Sequence, residues 1–163
     1  MTHYGLMYRL GITPWEDYGG AVAASLSTLL DREESERSRP LGRALDLGCG
    51  RGQYTPELAR RGCETTGIDD VPSAVEAARA KGPHEVTYVV GDVTDLPAAR
   101  LGTFDLFLDV GCFQGFGGER SGARVGDRRP LRVAYAGTAC GKVKTRPGST
   151  SALTFFSRGR LVP

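Results

Sequence analysis

The segment that most constrains this chain is LDLGCGRGQY, residues 45–54. It begins with two leucines around an acid, as a buried strand does, and then places Gly48, Gly50 and Gly52 at every second position. Glycine adopts positive φ and has no Cβ, so such a run lets a ligand approach the main chain closely. Taken alone, the segment is also compatible with a tight strand-to-helix turn that binds nothing.

Short apolar runs alternate with helical segments after this point, which indicates an α/β fold with a doubly wound, Rossmann-like, mostly parallel sheet. In such a sheet the carboxyl ends of the strands meet at one edge, where ligands bind. Thr55 is predicted to cap the first helix after the glycine segment. Strands are predicted at 44–48, 65–69, 86–90 and 104–111, and helices at 55–62 and 71–82.

An acid stands at the end of each of the three later strands, namely Asp69, Asp92 and Asp109. A carboxylate after the second strand can accept both hydroxyls of a ribose, and one after the third can reach the amine of an adenine. These positions predict an adenosine pocket. The alternative on this fold is a nicotinamide dinucleotide site, but its third glycine falls one residue later, where this chain has Gln53. The negative charge of these acids also favours a cationic ligand over a negatively charged pyrophosphate.

Four segments together resemble the successive motifs of class I S-adenosylmethionine-dependent methyltransferases of the small-molecule type: ALDLGCGRGQY, TTGIDDVPSAV, VTYVVGDVTDLP and FDLFLDVGCFQGF. The resemblance covers residues 44–116. It implies S-adenosyl-L-methionine as cofactor and in-line transfer of its methyl group to a small molecule. The cofactor-binding residues it implies are Asp46, Gly48, Cys49, Gly50, Gly52, Asp69, Asp70, Asp92, Val93, Asp109, Val110 and Gly111.

The acceptor side is expected just after the fourth strand, and the expected acceptor is small and soft or electron-rich. Candidate residues are Cys112, Phe113, Gln114 and Phe116, with Tyr4, Tyr8 and Trp15 as an aromatic lid. No catalytic residue is assigned, because methyl transfer from a sulfonium does not require a general base. For Asp46, a second interpretation remains open, in which its carboxylate steadies the loop through a hydrogen bond.

Charge divides the chain. Residues 1–116 carry eleven Lys and Arg against seventeen Asp and Glu, whereas residues 117–163 carry ten against two. We interpret residues 1–43 as a helical cap, 44–116 as the cofactor-binding core and 117–163 as a basic Gly/Arg-rich tail, partly ordered at best. The tail has two open interpretations: a truncated or frame-altered end, or a nucleic-acid-binding arm.

The tail leaves the fold incomplete at its carboxyl-terminal side, since three further strands are expected after the fourth. Only 131–137 and 151–157 have strand character there, so the fourth strand is expected to be an exposed edge. The alternatives to an active methyltransferase are therefore an inactive remnant that binds the cofactor and a nucleic-acid-binding protein, although nucleic acid is not the expected partner.

The remaining features exclude other classes. The four cysteines lie far apart without a Cys-x-x-Cys pair, so no metal site or disulfide framework is expected. The chain has neither an apolar run long enough to span a membrane nor a signal-peptide pattern, and a cytoplasmic location is the expectation. The oligomeric state does not follow from the sequence.

Overall fold

A computed structural model describes residues 3–16, 19–36, 38–93, 95–112 and 153–159. The helices are α1 (His3–Leu10), α2 (Gly19–Ser35), α3 (Thr55–Arg60), α4 (Pro72–Lys81) and α5 (Leu96–Ala99), with a 3-10 turn at Pro14–Glu16. The strands are β1 (Arg43–Leu47), β2 (Glu64–Asp69), β3 (Thr87–Val90), β4 (Phe104–Val110) and β5 (Leu153–Gly159). The helices and strands predicted between residues 44 and 111 are therefore confirmed.

The five strands form one sheet in the order β3-β2-β1-β4-β5. The first four are parallel to one another, with Leu45 opposite both Thr66 on β2 and Phe107 on β4. β1 is central and buried over four of its five residues, as expected for a strand with helices on both faces. The strand order reverses between β1 and β4. The carboxyl ends of these two strands therefore mark the switch point at which doubly wound sheets bind ligands.

The helices cover both faces of the sheet. On one face, α2 and α3 pack Leu26, Leu30 and Leu58 against Ala44 and Leu106. On the other face, residues of β1, β2 and β4 pack with Leu96 of α5. Because the side chains of β1 alternate between these two layers, its position and its rotation about the strand axis are both fixed by packing.

A buried guanidinium ties α2 to α3. The side chain of Arg61 is 8% exposed, and it bonds Asp31 at 2.6 Å and Glu34 at 2.9 Å on α2. It also bonds Glu57 of α3 at 2.7 Å. The amino-terminal part of the chain is thus attached to the sheet by ion pairs as well as by the leucines of α2.

The structure corrects the expectation that the fourth strand is an exposed edge. β5 pairs with β4 in antiparallel fashion along its whole length, from Phe104 opposite Gly159 to Val110 opposite Leu153. The tail therefore supplies main-chain hydrogen-bond partners to the outer edge of β4. The strand predicted at 151–157 is confirmed with shifted bounds, and the one predicted at 131–137 lies outside the described residues.

The predicted cap at Thr55 is also wrong. The residue that caps α3 is Tyr54, which makes no side-chain capping bond, and Thr55 is the first helical residue. The Thr55 hydroxyl is fully buried and donates a hydrogen bond to Asp46 Oδ2 at 2.6 Å. Thr55 therefore connects α3 to β1 at the carboxyl edge of the sheet.

Candidate functional site

The glycine segment turns sharply after β1 and is held against β2. The main-chain N–H groups of Gly48 and Cys49 both donate to the Ile68 carbonyl, at 2.8 and 3.0 Å. Gly48 has a φ of +67°, and a Cβ built on it would lie 2.6 Å from Cys112 Sγ. Only glycine fits both this backbone conformation and this close approach of the chain that follows β4.

Asp69, at the end of β2, holds the glycine loop in place through its carboxylate. Its Oδ2 accepts a hydrogen bond from the Gly50 N–H and its Oδ1 one from the Val71 N–H, both at 2.9 Å. Burial raises the pKa of this carboxyl, and the two hydrogen bonds oppose that rise. Each carboxylate oxygen has a second lone pair, so Asp69 can accept further hydrogen bonds from a ligand.

Asp46, on β1, is 2% exposed. Burial raises the pKa of its carboxyl to about 7; the Thr55 hydrogen bond lowers it, and the neighbouring Asp109 and Asp69 raise it further. Asp46 is thus only partly ionised at neutral pH. Its bond to Thr55 accords with the interpretation in which Asp46 steadies the loop.

A cleft of about 880 Å³, including its open mouth, lies at the carboxyl ends of β1, β2 and β4. The residues that line the cleft are Tyr8, Glu16, Asp46, Gly48, Cys49, Gly50, Arg51, Gln53, Tyr54, Asp69, Asp70, Val110, Gly111 and Cys112.

The amino-terminal segment forms one wall of this cleft. A Cβ on Gly50 would lie 2.6 Å from the Tyr8 hydroxyl, so α1 rests directly on the glycine loop. The side chain of Glu16 forms an ion pair with Arg51, with 2.9 Å between Oε2 and Nη1. The Glu16 carbonyl accepts a hydrogen bond from Gln53 Nε2 at 3.3 Å.

The opposite wall follows β4. Asp109 is 1% exposed, and its Oδ1 accepts a hydrogen bond from the Cys112 N–H at 2.8 Å, which turns the chain over the cleft. Burial raises the pKa of the thiols of Cys49 and Cys112, and nearby carboxylates raise it further. Both cysteines are therefore neutral thiols at physiological pH and not nucleophilic thiolates.

Eight of the twelve predicted cofactor-binding residues line the cleft: Asp46, Gly48, Cys49, Gly50, Asp69, Asp70, Val110 and Gly111. The other four are outside its lining. Gly52 lies against the Tyr88 hydroxyl, Val93 packs in the core, Asp92 is exposed, and Asp109 acts through the turn to Cys112.

Among the acceptor-side candidates, Cys112 and Tyr8 line the cleft. Phe113, Gln114 and Phe116 lie outside the described residues, as do the side chains of Tyr4 and Trp15.

Four residues that line the cleft were missed by the sequence reasoning, namely Glu16, Arg51, Gln53 and Tyr54. The last three stand between or just after the glycines, where spacing alone gives no reason to choose them. Tyr54 has a buried hydroxyl without a hydrogen-bond partner among the described residues. Glu16 reaches the cleft only because the 3-10 turn docks on the loop, a contact that no local pattern signals.

Comparison with known proteins places this site in a family. Residues 45–123, which include the glycine loop and the carboxyl ends of β1, β2 and β4, match the methyltransferase domain family. Over this segment the chain is similar to class I S-adenosylmethionine-dependent methyltransferases. The predicted resemblance is thereby confirmed for the segment, and the fold is the Rossmann-like one expected of it.

Curated methyltransferases are also similar to part of the chain. A ubiquinone biosynthesis O-methyltransferase from Xanthomonas oryzae pv. oryzae is 42% identical over 66 residues, 39% of this chain and 28% of that protein. A magnesium-protoporphyrin O-methyltransferase from Rhodobacter capsulatus is 43% identical over 67 residues, 39% of this chain and 29% of that protein. The chain thus spans less than a third of the length of these two relatives.

Solved structures of methyltransferases also resemble the chain. An S-adenosylmethionine-bound amino pentose methyltransferase from Micromonospora echinaspora aligns with a TM-score of 0.48 and 27% identity, over 74% of this chain and 47% of its own. A TehB-like methyltransferase from Corynebacterium glutamicum aligns with a TM-score of 0.45 and 24% identity, over 65% and 61%. Among the described residues, no helix has both the length and the apolar character needed to cross a bilayer.

Proposed function

We propose that this protein transfers the methyl group of S-adenosylmethionine to a small-molecule acceptor. The observation that carries the proposal is the cleft between the glycine loop and the end of β4, which has Asp69 at its floor and is lined mainly by residues of the segment that matches the family. Gly48 supports the fit, because a side chain there would collide with Cys112 and would separate the glycine loop from the turn after β4, both of which line the cleft.

Each wall of the cleft has a role in this proposal. Asp69 and Asp70 hold the ribose hydroxyls, while Gly48, Cys49 and Gly50 surround the methionine part with Asp46 behind them. Val110 and Gly111 face the methyl group. We retain Asp92 and Val93 as the adenine side, although neither residue lines the cleft.

The bound cofactor supplies an already activated methyl group, so the protein's main task is orientation. Holding the two reactants in line and excluding water can contribute roughly 7–11 kcal/mol in favourable models. The hydrogen bond from Cys112 N–H to Asp109 fixes the wall on which the acceptor would rest. The neutral thiols of Cys49 and Cys112 take no covalent part.

The acceptor atom is proposed to be oxygen. The names of the two curated relatives, a ubiquinone biosynthesis O-methyltransferase and a magnesium-protoporphyrin O-methyltransferase, support this choice over a thiol or selenol. An oxygen acceptor loses a proton when it is methylated. Asp46 is not assigned as the base, because it lies behind the methionine part and its carboxylate accepts the Thr55 hydroxyl; the proton leaves to solvent at the open mouth of the cleft.

Transfer of radiolabel tests the proposal. The full chain is incubated with methyl-labelled S-adenosylmethionine and a panel of catechols, phenols, carboxylic acids and thiols, and labelled products are separated. We expect label on at least one oxygen acceptor. Label on thiols alone would refute the oxygen assignment, and cofactor binding without any labelled product would favour the inactive remnant.

A further inference from the structure

Arg51 is the only cationic side chain among the described residues that line the cleft. Four acids share the lining with it, namely Glu16, Asp46, Asp69 and Asp70. A ligand with a carboxylate would enter a cleft dominated by negative charge. A cation within reach would offset that charge, and among the described residues of the lining Arg51 is the one that supplies it.

Arg51 is held in place without being buried. Its Nη1 lies 2.9 Å from Glu16 Oε2, and its Cζ lies 5.0 Å from the centre of the Tyr8 ring. The two charged side chains are 39% and 26% exposed, so a ligand in the cleft can reach both. The aromatic face orients the guanidinium plane and leaves its edge available for hydrogen bonds.

Glu16 is held by two further hydrogen bonds, one to its main chain and one to its side chain. Its carbonyl accepts a hydrogen bond from Gln53, and Glu16 Oε2 accepts one from Thr13 Oγ1 at 3.0 Å. The acid therefore keeps its place on the cleft wall when its bond to Arg51 is exchanged for another.

A positive and a negative group side by side on this wall complement an amino-acid zwitterion. We propose that Arg51 binds the α-carboxylate of the cofactor and that Glu16 binds its α-ammonium group. This inference rests on the proposed function, since it assigns the amino-acid end of the same ligand. Both residues act as positioning residues, because they hold the end of the cofactor remote from the transferred methyl group.

The exchange is energetically feasible. A partly exposed ion pair such as Arg51 with Glu16 stabilises a protein little, so separating it sacrifices little. Two new charge-assisted hydrogen bonds replace it, and a guanidinium with a carboxylate forms the stronger, bidentate kind. The pair also gives specificity, because a nucleoside without the amino-acid end gains nothing from either residue.

Calorimetric titration of the full chain with two probes tests this inference. S-adenosylhomocysteine carries the amino-acid end, and 5′-methylthioadenosine lacks it. We expect Arg51→Gln to weaken binding of the first probe by about tenfold or more and to change binding of the second by less than about twofold. Glu16→Gln should also weaken binding of S-adenosylhomocysteine, by a smaller factor.

Arg32→Gln is the matched control, because it removes a cation from an ion pair of 3.0 Å on the exposed face of α2, away from the cleft lining. It should leave the affinity for both probes unchanged. Retained binding of methylthioadenosine shows that each variant is folded.

The outcomes separate the two proposals. A wild-type chain that binds neither probe refutes the proposed function. If Arg51→Gln and the wild type bind S-adenosylhomocysteine with equal affinity, the inference is refuted but the proposed function is not. Equal weakening of both probes in Arg51→Gln also refutes it, since Arg51 would then act by shaping the cleft rather than by recognising the amino-acid end.

Discussion

Three buried acids meet at the carboxyl edge of the sheet, and each is stabilised differently. Asp69 accepts the main-chain N–H groups of Gly50 and Val71, and Asp109 accepts that of Cys112. Asp46 accepts the hydroxyl of Thr55. Burying a charge is unfavourable unless it is compensated. Asp46, with the pKa raised to about 7, therefore destabilises the fold in its ionised form.

The contribution of Asp46 to the stability of the protein should fall as the pH rises from about 4 to about 7. The unfolded Asp46 releases its proton near 3.8, whereas the folded one keeps it until about 7. Between these values the folded state binds the extra proton, so raising the pH lowers the free energy of unfolding, by roughly 4 kcal/mol in total. Below and above this window the Asp46 contribution is independent of pH.

Asp46→Asn tests that expectation, because the amide oxygen still accepts the Thr55 hydrogen bond but cannot ionise. The variant should gain stability over the wild type as the pH increases from 4 to 8, measured by urea unfolding at several pH values. Parallel pH profiles for the two proteins would show that burial of Asp46 does not perturb its titration.

Gly48→Ala should abolish the loop geometry. Its Cβ would lie 2.6 Å from Sγ and 2.7 Å from Cβ of Cys112, in a backbone conformation with φ of +67°. We expect a loss of about 1–3 kcal/mol in stability and at least about tenfold weaker binding of S-adenosylhomocysteine, by calorimetry. Gly11→Ala is the control, since φ there is +69° and the added Cβ meets no atom within 4 Å; it should lose stability but not affinity.

At the scale of helices and strands, the attachment of α2 and the pairing of β5 decide how the cleft is framed. α2 is attached through leucines and Arg61, and it follows the turn that carries Glu16. β5 completes the sheet beside β4, whose carboxyl end forms a wall of the cleft. Both attachments are long-range, between segments at least 20 residues apart in sequence.

Adjacent arginines provide a matched test of the α2 attachment. Arg61→Gln removes a cation that is 8% exposed and bonded to Asp31, Glu34 and Glu57, so about 1–3 kcal/mol of stability should be lost. Arg60→Gln removes one that is 69% exposed and bonded to Glu57 alone among the described residues, and no measurable change is expected. Urea unfolding that showed equal effects would contradict the role assigned to Arg61.

Removal of β5 should expose the edge of β4. A chain that ends at residue 150 loses every main-chain pair between Phe104–Val110 and the tail, so its melting temperature should fall by roughly 5 °C or more. Its tendency to associate should rise, because unpaired edges promote association. A chain that ends at residue 160 is the control. Identical melting and an unchanged monomer fraction in the two chains would show that β5 does not protect the sheet.

Local patterns were sufficient for the parallel half of the molecule. The alternation of apolar runs and turn residues located β1 to β4 within a residue or two, and the glycine spacing located the loop. The patterns failed where the decisive contact joins distant segments. Nothing local assigns Thr55 to Asp46, Glu16 to Arg51, or the antiparallel partner of β4 to the tail.

At the scale of the whole molecule, the sheet brings a glycine loop, the acid at the end of β2 and the turn after β4 to one cleft. The cleft is acidic with one cation in its described lining, which suits a sulfonium with an amino-acid end better than a pyrophosphate. We therefore expect this cleft to bind S-adenosylmethionine and its product rather than a nicotinamide dinucleotide.

Parallel calorimetric titrations of the full chain with S-adenosylhomocysteine and with NAD distinguish these two ligands. We expect one S-adenosylhomocysteine bound per chain with micromolar or tighter affinity, and no measurable heat of binding with NAD under the same conditions. Binding of NAD without binding of S-adenosylhomocysteine, or binding of neither, would contradict it.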